Sequence, residues 1–223
     1  MYVSEAVATR RSVRQFTDQP VDWAMIKRVL DKARNAPSGG NVQPWNAIVL
    51  TGKPLARLTE AILAKAASAP LGAGFEYDIY PPGLEGRYEA QRRAVGHAMF
   101  EAVGLAREDK VGRIAQMAQN WTGFGAPVQM FTYTRKYMGP PQWSDMGMWL
   151  QTVMLRLREE GLDSCPQEIW ARYGELMKSQ LGIDDEHIFF CGMAIGYRDP
   201  AAPINTFPVP RVALADTVAF EGF

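Results

Sequence analysis

The chain has 223 residues, 47% of them hydrophobic, and 24 Lys plus Arg against 24 Asp plus Glu. A length near 200 suits one large domain with a real core, and zero net charge argues against a nucleic-acid protein, which needs a dominant basic surface. Two cysteines without a CxxC pair suit a reducing cytoplasm, and with only His97 and His187 available no His/Cys metal site is expected.

Residues 3–9 read as a short helix running into Arg10-Arg11-Ser12-Val13-Arg14. Arginine pairs bidentately with phosphate and a serine hydroxyl adds a neutral hydrogen bond, so the cluster suits an anion; a solvated helix face is the competing account. Asp22 is a candidate N-cap for a helix over 23–35, with Ile26, Val29, Leu30 and Ala33 on one face. A loop of Pro, Gly, Ser and Asn follows at 36–41, then a strand over 45–50 and a helix over 53–67 with Pro54 in its first turn.

Residues 68–86 are rich in glycine and proline yet embed Phe75, Tyr77 and Tyr80, and long loops of this kind tend to be functional. Helices are expected over 87–106 and 110–120, and a strand over 128–133. Residues 143–160 form a strongly apolar helix ended by Gly161. A loop at 163–166, a helix over 167–178 and a buried strand over 188–197 complete the pattern, before a proline-rich tail with short extended pieces to Phe220. No apolar run is long enough to span a membrane, and no targeting leader is expected. Helices outnumber the scattered strands, so the class is α+β or a three-layer sandwich.

Five segments together resemble the FMN-dependent nitroreductase superfamily. They are Arg10 to Arg14; Pro37-Ser38-Gly39-Gly40-Asn41-Val42-Gln43-Pro44-Trp45; Gln142-Trp143-Ser144-Asp145-Met146-Gly147; Gly161-Leu162-Asp163-Ser164-Cys165-Pro166-Gln167-Glu168; and Gly192 to Tyr197 with Arg211 beyond. Their order and spacing match over nearly the whole chain, most like bacterial reducers of nitroaromatic acids. The resemblance implies one α+β domain over 1–223, a three-layer α/β/α sandwich with a central mixed sheet. It also implies a homodimer with FMN at the interface, and a C-terminal extension at about 200–223 that embraces the partner subunit.

The resemblance also distributes roles. Arg10, Arg11, Ser12 and Arg14 match the phosphate and ribityl motif, with Arg211 as the second phosphate anchor. Many relatives carry another basic residue just before that anchor, where this chain reads Pro208-Val209-Pro210; Arg11 is one way to make up the missing contact. Pro37, Ser38, Gly39 and Asn41 match a loop that reaches the flavin of the other subunit. Gln142 matches a group on the pyrimidine edge, and Pro166, Gln167 and Glu168 match the turn over the ring, from which a backbone N–H points at flavin N5. Arg87, Tyr88, Trp121 and Phe124 are the substrate-facing candidates, an aromatic lid with a cation, against core packing for each aromatic.

NAD(P)H is the implied reductant and a nitroaromatic the implied substrate, reduced two electrons at a time with ping-pong kinetics. No protein nucleophile or general base is required, which agrees with the lack of a triad or carboxylate pair. Gly72-Ala73-Gly74 is no dinucleotide fingerprint, so a separate nicotinamide domain is not expected. Quinone or ene reduction, reductive dehalogenation, flavin destruction and flavin binding without turnover remain the alternatives on the same scaffold.

Overall fold

A computed structural model describes residues 1–223. Its centre is a four-stranded sheet in the order β1-β2-β4-β3, built from Asn46–Thr51 (β1), Val128–Arg135 (β2), Asp163–Gln167 (β3) and His187–Gly196 (β4). Every ladder is antiparallel. The expected mixed character therefore reduces to one isolated parallel bridge, Ser12 with Ser164, at the outer edge of β3.

Strand alternation sends side chains to both faces, and helices cover both. Val128 and Met130 of β2 and Cys191, Met193 and Ile195 of β4 meet the helices Trp23–Ala33 (α2) and Pro140–Glu159 (α6). Asp22 caps α2 by accepting from the Ala24 N–H at 2.9 Å, and Ile26, Val29 and Ala33 are buried at the helical spacing read from the sequence. On the opposite face Phe131 and Phe189 meet Gly52–Ser68 (α3), Gly174–Leu181 (α7) and the 3-10 segments Gln119–Gly125 and Glu168–Tyr173. Edge-to-face contacts of Trp170 with Trp121 (5.4 Å) and Phe131 (5.2 Å) fill this half of the core, the geometry that aromatic quadrupoles favour.

Two sequence expectations change here. Residues 163–166 form strand β3 instead of a loop; at the sheet edge Pro166 has no neighbour that needs its missing N–H. The helix expected over 167–178 is a 3-10 segment followed by α7, with Tyr173 fully buried at the junction. The remaining helices are Val3–Thr9 (α1), Gly86–Ala102 (α4) and Lys110–Ala118 (α5). No side chain of α4 or α5 is buried, and α5 exposes Val111, Ile114 and Met117. From residue 208 to the end every position is exposed, and the only regular structure there is a 3-10 turn, Leu214–Asp216. No helix is long and apolar enough to cross a membrane.

Candidate functional site

The Arg10–Arg14 segment is laid along the free edge of β3. Val13 donates its N–H to Ser164 O at 3.0 Å, and its side chain is fully buried with Phe16, Phe124, Cys165 and Ala194. With Val13 turned inward, Arg10, Arg11, Ser12 and Arg14 all line one cleft of about 660 Å³, joined there by Arg211 from the far end of the chain. A separation of 197 positions in sequence is closed because residues 198–207 return beneath the segment. Asn205 Oδ1 accepts the Arg14 N–H at 2.8 Å, and Phe207 O accepts from Arg11 Nη2 at 2.7 Å.

None of these four arginines has a carboxylate within ion-pair distance. The side-chain acceptors of Arg14 and Arg211, like that of Arg11, are backbone carbonyls: Ser12 O for Arg14, and Val209 O and Pro210 O for Arg211. Burial, and then the neighbouring Arg211 charge, lower the Arg10 pKa. Like charges gathered in a half-buried cleft cost free energy unless an anion meets them, so the arrangement suits a phosphate. Arg11 stands close to the Pro208-Val209-Pro210 gap, where it can supply the missing contact.

The expected turn over the ring is here the end of β3: Pro166 and Gln167 pair with Met193 and Gly192 of β4, and Glu168 opens the 3-10 segment that follows. Gln167 is buried and its Nε2 donates to Asn120 O at 2.8 Å, which locks the side chain. Glu168 keeps an exposed surface in a recess where desolvation raises its carboxyl pKa. Burial holds the Cys165 thiol up at about 11, so it stays protonated and acts as packing.

The strap at 69–77 is docked on the far end of that 3-10 segment. Ala73 N–H and Glu76 N–H bond Arg172 O (2.8 Å) and Ala171 O (3.1 Å), and Glu76 pairs with Lys178 at 3.3 Å. At Gly72, with φ +112°, a Cβ would stand 2.9 Å from Arg172 O, so the close approach requires glycine. Tyr77 donates to Phe190 O, the extra residue of a β-bulge opposite Thr132 and Tyr133, and its ring meets Trp143 edge-on. The first half of the long excursion is thus a docked strap.

The Pro37–Asn41 loop lies elsewhere. With Arg34 and Gln43 it lines a second cleft of about 470 Å³ that shares no residue with the arginine cleft. Buried Asp145, one turn along α6 from Gln142, accepts the Gly39 N–H with both oxygens at 3.3 Å. Gly40, Asn41 and Gln43 are left-handed, a conformation costly for Gln43 and stabilised by the bond from its N–H to Ser38 Oγ at 3.0 Å. Gln142 Oε1 accepts the Gly139 N–H at the start of α6, leaving its amide nitrogen free.

Of the substrate-facing candidates, Trp121 and Phe124 are core side chains, 7% and 5% exposed. Trp121 packs on Trp170 and Tyr173, so neither is a surface lid in this chain. Tyr88 and Arg87 are exposed at the start of α4. Arg87 lies 5.0 Å over the Tyr88 ring and donates to Asp216 O at 2.7 Å. Tyr88 lines a cleft of about 430 Å³ with Tyr80, Gln91 and Arg92 that meets the arginine cleft at Val95, Val209 and Arg211. Asp145, Asp163 and Asn205 were not singled out from sequence; an isolated acid or amide carries no signal until its partners are known.

A helix-covered antiparallel sheet with an arginine-lined cleft on its edge strand is an architecture suited to a phosphate-bearing ligand. The nitroreductase family model matches residues 7–197, and the chain belongs to that family. It is 35% identical to a 4-nitrobenzoate reductase of Pseudomonas putida, over 97% of this chain and 94% of that one. It is 52% identical to the solved FMN and NADPH-dependent nitroreductase NfnB from sphigopyxis sp. strain HMH, with a TM-score of 0.98 and full coverage of both chains. The solved FMN-dependent NfnB of Mycobacterium smegmatis in complex with NADPH is 27% identical, with a TM-score of 0.91 over 98% of each chain.

Proposed function

We propose that this chain is an FMN-dependent, NADPH-consuming oxidoreductase that reduces nitroaromatic compounds. The observation that carries the proposal is the convergence of Arg10, Arg11, Arg14 and Arg211, without carboxylate partners, on one cleft. The cofactors and substrate named for the 52% and 35% identical relatives agree with it. The residues fit FMN: the arginines and Ser12 would hold the phosphate, Pro166, Gln167 and Glu168 would support the ring, and Gln142 would offer its free amide nitrogen. The chemistry the flavin supplies when bound is two-electron transfer from the reduced nicotinamide to the nitro group.

The protein's own contribution is binding and orientation. The strap at 69–77 braces the 3-10 segment that follows Gln167, and the Gln167 to Asn120 bond fixes that side chain before the flavin binds. Arg87 and Tyr88, exposed beside the cleft, are placed to meet an aromatic acid by charge and stacking. Solvent supplies protons, so no buried acid or base is needed.

We assign a homodimer in which the Pro37–Asn41 loop serves the flavin held by the other copy's arginines. The separation of the two clefts within one chain supports this, as do the exposed apolar side chains Leu214, Val218 and Phe220 on the tail. The single domain over 1–223 with its embracing extension, and residence in the cytoplasm with both cysteines reduced, belong to the same proposal. The test is a visible spectrum of the purified protein before and after anaerobic NADPH, followed by NADPH oxidation with a nitrobenzoate, a quinone and an enone. A yellow protein bleached by NADPH and turning over the nitrobenzoate is expected. A colourless protein that FMN cannot reconstitute, or turnover of the quinone alone, would overturn it.

A further inference from the structure

The arginine segment is anchored at both ends by two buried side chains that do not line its cleft. At one end Asn205, 2% exposed, makes three hydrogen bonds to backbone atoms, two of them on the residues that follow Val13. Its Oδ1 accepts from Arg14 N at 2.8 Å, and its Nδ2 donates to Gln15 O at 2.8 Å and Asp199 O at 2.9 Å. At the other end Asp163, 3% exposed, accepts from Arg158 Nη1 at 2.8 Å and from Arg198 through Nε at 2.7 Å and Nη2 at 2.5 Å. Those two guanidiniums then grip Thr9, the residue before Arg10. Arg198 Nη2 donates to Thr9 O at 3.3 Å and Arg158 Nε to Thr9 Oγ1 at 3.4 Å. Between the two anchors lies the Ser164 bridge.

Bringing like charges together before a ligand arrives is unfavourable, so the chain must be held there by bonds that do not depend on the ligand. Asp163 has a second effect. Arg198 itself lines the cleft, and the bidentate pair with Asp163 engages its guanidinium.

We propose that Asn205 and Asp163 are positioning residues that preorganise the arginine cleft for a phosphate monoester, a reading that rests on the FMN assignment above. Neither touches the ligand; they hold the backbone at 9 and at 14–15 so that Arg10, Ser12 and Arg14 converge with Arg211.

The test compares FMN with riboflavin, which carries the same ring and ribityl chain without the phosphate. Flavin-free protein is titrated with each, following flavin fluorescence, for wild type, Asn205→Ala and Asp163→Asn. Wild type is expected to bind FMN far more tightly than riboflavin. Asn205→Ala should cut that ratio by about tenfold or more, the scale of one misplaced charge-assisted bond, while riboflavin affinity changes by less than about threefold. The near-isosteric Asp163→Asn should cut it by a smaller factor, and it decides the matter if Asn205→Ala does not fold. Equal losses for both flavins would mean a merely structural role and would overturn the proposal, as would an unchanged ratio in both variants. Equal affinity of the wild type for the two flavins would instead remove the phosphate reading, and this proposal with it.

Discussion

Two groups of arginines share one end of this molecule and treat positive charge in opposite ways. Arg158 and Arg198 close on the buried Asp163 carboxylate, and every charge in that cluster has a bonded partner. A few residues away, Arg10, Arg11, Arg14 and Arg211 face a cleft with only carbonyls as acceptors. The first group is complete as folded. The second has no carboxylate partner, an arrangement that suits an external anion. Within one neighbourhood, carboxylate pairing therefore separates arginines that hold the fold from the arginines proposed to hold the phosphate.

The largest effect expected from breaking this contrast is at Asp163. Asp163→Ala strands two guanidiniums in a half-buried site and should cost about 3–5 kcal/mol, read as a lower urea midpoint at unchanged slope. Arg14→Ala should do the reverse, weakening FMN retention by about tenfold to hundredfold with stability within about 0.5 kcal/mol of wild type. A loss of both in equal measure would place Arg14 with the structural arginines.

A subtler comparison uses the flavin-free protein. Millimolar inorganic phosphate should raise its melting temperature, adding about 1.4 kcal/mol for each tenfold excess over the dissociation constant, and chloride at matched ionic strength should not. Arg10→Ala should abolish much of the phosphate effect and leave the phosphate-free protein as stable as wild type or slightly more so, since it relieves repulsion from Arg211.

The smallest effect concerns the two ends of β3. Asp163 begins the strand fully paired, whereas Glu168 follows its last residue with a pKa raised by desolvation and no cation bonded to it. A carboxyl whose folded pKa is raised contributes its stability below the ordinary value of 4.5 and loses it as the pH rises through the folded pKa. Glu168→Gln lacks that loss, so its melting temperature should gain on wild type as pH rises from 4 to 8. A constant offset across that range would assign the raised pKa no energetic weight.

Much of this was legible in the residues. Asp22 and the spacing of Ile26, Val29 and Ala33 marked α2 because capping and the 3.6 period are local. Gly161, at φ +78°, marked the end of α6 for the same reason. The run at 163–166 was misread because an edge strand tolerates Pro166, and whether a strand lies at an edge depends on the sheet around it. Trp121 and Phe124 looked equally fit for a lid or a core. Only the packing of Trp121 on Trp170 and Tyr173, and of Phe124 on Val13 and Phe16, chose between them.

By itself the sequence determined most of the elements outside 163–178, the charge cluster at 10–14 and the motif order that marks the family, because these rest on composition and short spacings. The tertiary structure decided that Arg211 joins that cluster, that Asp163 pairs with Arg158 and Arg198 beside it, and that the Pro37–Asn41 loop faces a different cleft. Ion pairing and cleft formation depend on distances between residues far apart in the chain, and those distances exist only once the sheet has brought its edges and returns together.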